Sequence, residues 1–156
     1  MKLLKKHRDA FTFDLPAREK LLLLAVLDRY PAVPATHQFL GASTAGTAAE
    51  QRLLDEALAE QRQENKRRLK TLLKNERRMR LAGTGFHWVL TAMDIEWLLQ
   101  VLNDIRVGSW IHLGSPEKDL WNIELSEAGV PHATSMELAG FFQAALLEAL
   151  KLNGAG

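Results

Sequence analysis

Residues 91–114 read TAMDIEWLLQVLNDIRVGSWIHLG, and the reading of this stretch decides the fold. Thr91 stands three residues before Asp94, the capping-box spacing in which a hydroxyl and a carboxylate satisfy free amides at a helix start. Ile95, Leu98, Leu99, Leu102 and Ile105 then mark one helical face. Trp97, Val101 and Trp110 lie off that stripe, and a helix apolar on several sides belongs in the centre of a protein. Leu113-Gly114 followed by Ser115-Pro116 is a stop signal. Asn103, Asp104 and Arg106 interrupt the apolar run. Buried, such groups must be paired. Two readings stand side by side: an internal polar network that fixes the helix against a neighbour, and a binding site.

Working outward, residues 1–9 read as a basic tail. Ala10 to Asp14 reads as a short strand in which Phe11 and Phe13 alternate with polar residues. Pro16 suits the first turn of a helix that buries Leu22, Leu23, Val26 and Leu27 and ends before Pro31 and Pro34. Residues 31–46 form a loop, with a turn at Gln38-Phe39-Leu40 as its anchor. Thr47 and Glu50 repeat the capping box. The segment they start has apolar ends and a polar middle at 60–68, and reads as one long helix to Met79 or Arg80 with a bend near Asn65, the alternative being two helices broken at the polar middle. Phe86 to Leu90 reads as a second strand. A short helix from Ser115 to Ala128 follows the central one. A third capping box, Thr134 and Glu137, opens a last helix to Leu152 with Leu138, Phe141, Phe142, Ala145, Leu146 and Ala149 inside.

Phe11–Leu27 and Phe86–Leu102 align without a gap at an offset of 75, with seven identities in 17 positions. Both copies read as strand, helix start, apolar helix. The two strands are therefore expected to pair, and the two helices to lie side by side, because an isolated strand leaves backbone groups unpaired.

A chain of 156 residues is long enough for one domain with a real core. Cysteine is absent, which removes disulfides, thiolate catalysis and Cys-ligated zinc. The five histidines, His7, His37, His87, His112 and His132, show no metal-ligand spacing. No GxSxG, P-loop or GxGxxG occurs, and Gly83-Thr84-Gly85 reads as a turn. No apolar run reaches the roughly 18 residues of a membrane span. Neither a cofactor nor a metal is expected. The four tryptophans, Trp88, Trp97, Trp110 and Trp121, read as core or interface anchors.

The net charge of +1 conceals an asymmetry. Residues 1–80 hold 17 Lys/Arg and 10 Asp/Glu, giving +7, and residues 81–156 hold 3 and 9, giving −6. The excess concentrates between Arg62 and Arg80, where nine Lys/Arg face only Glu64 and Glu76. Lys66, Arg67, Arg68, Lys70, Lys74, Arg77, Arg78 and Arg80 are the candidate interaction surface, suited to an acidic protein, a second copy of the chain, or nucleic acid. No helix-turn-helix or aromatic stacking platform accompanies them.

Residues 97–114 also resemble the signature of a bacterial family called domain of unknown function 2017. That signature is a Trp-Leu pair, a Leu-Asn-Asp-Leu-Arg run and a later Leu-Gly. Trp97, Leu98, Leu102, Asn103, Asp104, Ile105, Arg106, Leu113 and Gly114 match it. Trp110 and His112 stand where family members more often have Gly and Arg. The Leu-rich helix after a short strand and the apolar last helix are similar as well. The resemblance implies a cytosolic bacterial helical domain without an established enzymatic activity. Members encoded beside a protease adaptor imply a regulatory or adaptor role.

The expectation is thus a single mainly α domain, four or five helices around a central buried helix with a minor two-stranded β element. It is cytoplasmic and non-enzymatic, a protein-interaction or regulatory module with a protein partner or a homo-oligomeric state and no membrane. The alternative is a nucleic-acid-binding transcriptional regulator. A third reading is an enzyme with its site at Asn103, Asp104 and Arg106.

Overall fold

The computed structural model describes residues 1–35, 47–117 and 122–154. The order of elements is β1 (Lys2–His7), β2 (Ala10–Pro16), α1 (Ala17–Leu27), α2 (Ala48–Lys74), β3 (Met79–Ala82), β4 (Gly85–Thr91), α3 (Ala92–His112) and α4 (Val130–Gly154). The stretch at 91–114 is α3. Thr91 and Asp94 form the expected capping box, and Ile95, Leu98, Val101, Leu102 and Ile105 are buried. The chain leaves α3 through Gly114, whose φ of +85° suits a residue without a Cβ.

The architecture is α+β, not mainly α. Four antiparallel strands in the order β1-β2-β4-β3 form one sheet, where the sequence suggests only a two-stranded element. The central β2–β4 pair is the one the sequence predicts, with Phe13 opposite Trp88 and Phe11 opposite Leu90. Both outer strands are the surprises. β1 lies in the supposed basic tail, and its Lys2, Lys5 and Lys6 hide it because an edge strand facing water needs no apolar alternation. β3 lies where the long helix was expected to continue. Asn75 ends that helix in an extended conformation, and its side chain accepts a hydrogen bond from the Arg77 amide.

The internal echo is structural. In the first hairpin Lys5 lies opposite Thr12, Lys6 opposite Phe11 and His7 opposite Ala10. Seventy-five residues on, Arg80 lies opposite His87, Leu81 opposite Phe86 and Ala82 opposite Gly85. The first turn residue has a positive φ in both, 55° at Arg8 and 60° at Gly83. In the central pair the same offset exchanges Phe11–Leu90 with Phe86–Leu15 and leaves Phe13–Trp88 in place. The sheet therefore has an approximate two-fold axis between Phe13 and Trp88, and each half continues as ββαα.

One face of the sheet carries Phe11, Phe13, Leu15, Trp88 and Leu90, all fully buried. α1 adds Leu23, Val26 and Leu27, α3 adds its apolar stripe, and α4 adds Ala139, Phe142, Leu146 and Ala149. α4 begins at Val130, earlier than expected, because Ser126 accepts a bond from the Gly129 amide ahead of it. Thr134 is thus inside the helix, with its hydroxyl on the Val130 carbonyl, and forms no capping box. Residues 113–117 and 122–129 contain no α-helix, contrary to the expected helix over 115–128. Part of the 31–46 loop, with the Gln38-Phe39-Leu40 turn, and Trp121 lie outside the described residues.

Candidate interaction surface

α2 is one helix of 27 residues, opened by the Thr47–Glu50 capping box. Only Leu69 and Leu72 along it are buried. Its attachment is largely polar. Asn65 donates to the Tyr30 hydroxyl at 2.9 Å and accepts from the Trp97 indole at 3.0 Å. Arg62 donates to the Val33 carbonyl at 2.7 Å. Asn65, the position where the sequence suggested a bend, clamps α2 to Tyr30 and Trp97. A mid-helix Asn amid charged neighbours gives no sign of this; only its tertiary partners do.

Asn103, Asp104 and Arg106 do not converge. Asn103 is exposed. Asp104 accepts from the backbone amides of Ala32 and Val33 at 2.7 and 3.3 Å. Arg106 is exposed and donates to Gln143 on α4 at 3.4 Å. Positions two apart on a helix point away from each other, so Asp104 and Arg106 cannot neutralise each other. Gly108, one turn beyond Asp104, completes a socket for the Ala32–Val33 backbone. A Cβ there would stand 2.3 Å from the Ala32 carbonyl carbon and 2.4 Å from the Val33 nitrogen. Asp104 and, outside the motif, Gly108 together hold the chain's own Ala32–Val33 segment.

The basic residues divide into three groups. Lys66 and Lys70 stand on one flank of α2, Arg67 and Arg68 with Arg78 of the following turn stand on the other, and Lys74, Arg77 and Arg80 are exposed beyond these two flanks. On the first flank a groove of about 400 Å³ runs between α1 and α2. Its lining includes Leu24, Leu27, Leu69 and Leu73, with Lys66 and Lys70 on the α2 side and Asp28 on the α1 side. Leu21 continues the α1 face that carries Leu24, Ala25 and Asp28, and it is 68% exposed.

On the second flank Arg68 and Arg78 share Asp94, at 3.3 and 2.5 Å. Asp94 also completes the α3 cap, accepting from the Thr91 amide and hydroxyl at 3.0 and 2.8 Å. Burial pushes the Asp94 carboxyl up. The Thr91 bonds and the Arg78 guanidinium together outweigh that and hold it below the usual carboxylate value. Arg68 lies over the Trp97 ring, 4.1 Å from its centre. Two arginines counted as surface charge are therefore also structural.

The fold brings two scattered histidines together. His112 and His132 stack with ring centres 4.7 Å apart. The His112 Nδ1 donates to the Gly108 carbonyl at 2.7 Å, and Arg29 donates to the His132 Nδ1 at 3.2 Å. Burial, then the neighbouring His112 and Arg29, lower the His132 pKa. Among the described residues no three His, Cys, Asp or Glu side chains cluster as a metal would require, and no helix is long and apolar enough to cross a membrane. No family model, no curated protein and no solved structure matches the chain.

Proposed function

We propose that this chain is a non-enzymatic protein-interaction module whose α1–α2 groove receives an acidic amphipathic helix from a partner protein. The observation that carries this reading is the groove itself: a leucine floor between two helices, an exposed leucine beside it, and two lysines on its rim. Helix-in-groove recognition uses such a floor for apolar anchors one turn apart. From Lys66 to Leu73 the groove follows α2 for about 10 Å, roughly two helical turns. Lys66 and Lys70 select acidic residues on the flank of the incoming helix. The likeness of residues 97–114 to a family with an implied regulatory role points the same way.

Fluorescence polarisation tests the reading with labelled helical peptides that carry leucines at i, i+4 and i+7 and glutamates on one flank. Binding is expected, with loss of at least tenfold in affinity for the Lys66→Glu/Lys70→Glu variant and for Leu21→Ser. Circular dichroism should show both variants folded, because the substituted residues are exposed. The reading fails if no acidic amphipathic peptide binds, or if these variants bind as the parent does. Capture of duplex DNA at low salt with no peptide binding would replace it with the nucleic-acid reading.

A further inference from the structure

The opposite flank of α2 holds a second concavity, of about 380 Å³, which the groove reading does not use. Arg67, Arg68, Thr71, Asn75, Arg78 and Asp94 contribute to its lining. We infer that it is a binding site for a phosphoryl group, held by Arg67, Arg68 and Arg78 with Thr71 and Asn75 at its edge.

Asp94 already engages Arg68 and Arg78, but each guanidinium gives it a single nitrogen. Neither guanidinium has another hydrogen bond among the described residues. A guanidinium carries five N–H groups, so most of each fork remains available. Their side chains are 40% and 36% exposed, enough for a ligand to reach them. Both forks are also held in place. Trp97 supports the plane of Arg68, and the short bond to Asp94 anchors Arg78. Ordering two long side chains beforehand removes much of the entropy a ligand would otherwise cost.

Charge and donor number select the ligand class. Arg68 and Arg78 against Asp94 leave one positive charge. Arg67 adds a second, which Glu64 on the same lining offsets at 3.3 Å, so the net charge is one positive; that ion pair is exposed and weak enough for a ligand to displace the Glu64 carboxylate from Arg67. The Thr71 hydroxyl and the Asn75 amide supply neutral donors at the edge. A phosphoryl dianion, with three acceptor oxygens, matches this set better than a carboxylate with two. A cation would meet two guanidinia before it reached Asp94.

Two sources carry the same chemistry, a small phosphorylated molecule and a phosphorylated protein side chain. Arginine Nε–H resonances distinguish them in three titrations of the intact chain at constant ionic strength: inorganic phosphate, adenosine monophosphate and a phosphoserine peptide, with sodium chloride as the blank. Saturable shifts of the Arg68 and Arg78 signals with phosphate, absent with chloride, are expected. Arg67→Gln and Arg78→Lys should each weaken phosphate binding about tenfold. Arg67 is exposed, and lysine at 78 keeps the charge beside Asp94, so both variants should remain folded. Tighter binding of the nucleotide or of the peptide than of inorganic phosphate supports the site and assigns its source. Equal binding of all three supports a site for free phosphate. Shifts no larger than those with chloride, or unchanged affinity in both variants, overturn the inference. So does DNA binding that survives Arg78→Lys while phosphate has no effect.

Discussion

Helix α4 lays Ala139, Phe142, Leu146 and Ala149 into the core, whereas α2, which holds the same place in the first ββαα half, buries only Leu69 and Leu72. Composition accounts for the difference. α2 contains twelve Asp, Glu, Lys and Arg residues in its 27, and α4 contains three in its 25. A helix so charged cannot be buried without unpaired charge, so it is attached by a few polar bonds and two leucines at its C-terminal half. Its first half stands clear, with Leu53 67% exposed. The consequence is functional. Helix α4 lies along α3 with one face in the core, while α2 keeps a flank open on either side, and those flanks hold the apolar groove and the arginine pocket.

Truncation of the core tests this contrast most severely. Phe142→Ala should cost about 3–5 kcal/mol, while Leu53→Ala should stay within about 0.5 kcal/mol, both by urea unfolding. Comparable losses at the two sites would break the comparison. Gly108→Ala forces a Cβ against the Ala32–Val33 backbone and should cost about 1–3 kcal/mol, or more where the loop cannot shift. An unchanged Tm would show that the socket does not locate the approach to α2.

Asp104→Ala leaves the amides of Ala32 and Val33 without their acceptor, for a loss of about 1–3 kcal/mol. The exposed neighbour Asn103→Ala should lie within about 0.5 kcal/mol of the parent. The two hairpins offer a gain. Arg8 adopts the positive φ that Gly83 adopts in the second turn, so Arg8→Gly should stabilise by about 0.5–1 kcal/mol, relief of left-handed strain exceeding the added chain entropy. A loss would mean that Arg8 makes contacts its counterpart does not.

The smallest effect concerns pH. The His132 pKa is lower in the folded chain than its ordinary 6.5. The unfolded chain therefore takes up the proton first, and the associated stability is complete above about pH 6.5 and lost as pH falls through the folded value. Thermal melts from pH 7.5 to 5 should show a decline that His132→Gln reduces. A decline of equal size in that variant would assign it to other groups.

Much of this was legible in the sequence, and the failures share a cause. Thr91 with Asp94 and Thr47 with Glu50 mark their helix starts because a capping box is local chemistry. Phe11, Phe13 and Trp88 announce the central strands because both sit over the core. β1 and β3 escaped because an edge strand shows lysine and arginine to water and has no inner pattern to read. Asp104 stood out as a polar residue in an apolar run, but its partners, backbone amides some seventy residues away, could not be read from local spacing. The groove and the arginine pocket depend on α2 standing off the body, which no local spacing encodes. Arg68 and Arg78 gave no local signal of their meeting at Asp94, the third residue of α3, because the pairing is tertiary.

Because Phe13 and Trp88 meet at the seam between two similar hairpins, the central strand pair joins halves that are linked in sequence only through residues 75–78. Two molecules that traded these halves would rebuild every strand pairing, each β2 against the other chain's β4. Domain exchange of this kind needs little new contact surface, only a crossing of the connecting segments. Concentrated refolding would then divide the chain between monomers and interlocked dimers of the same local structure.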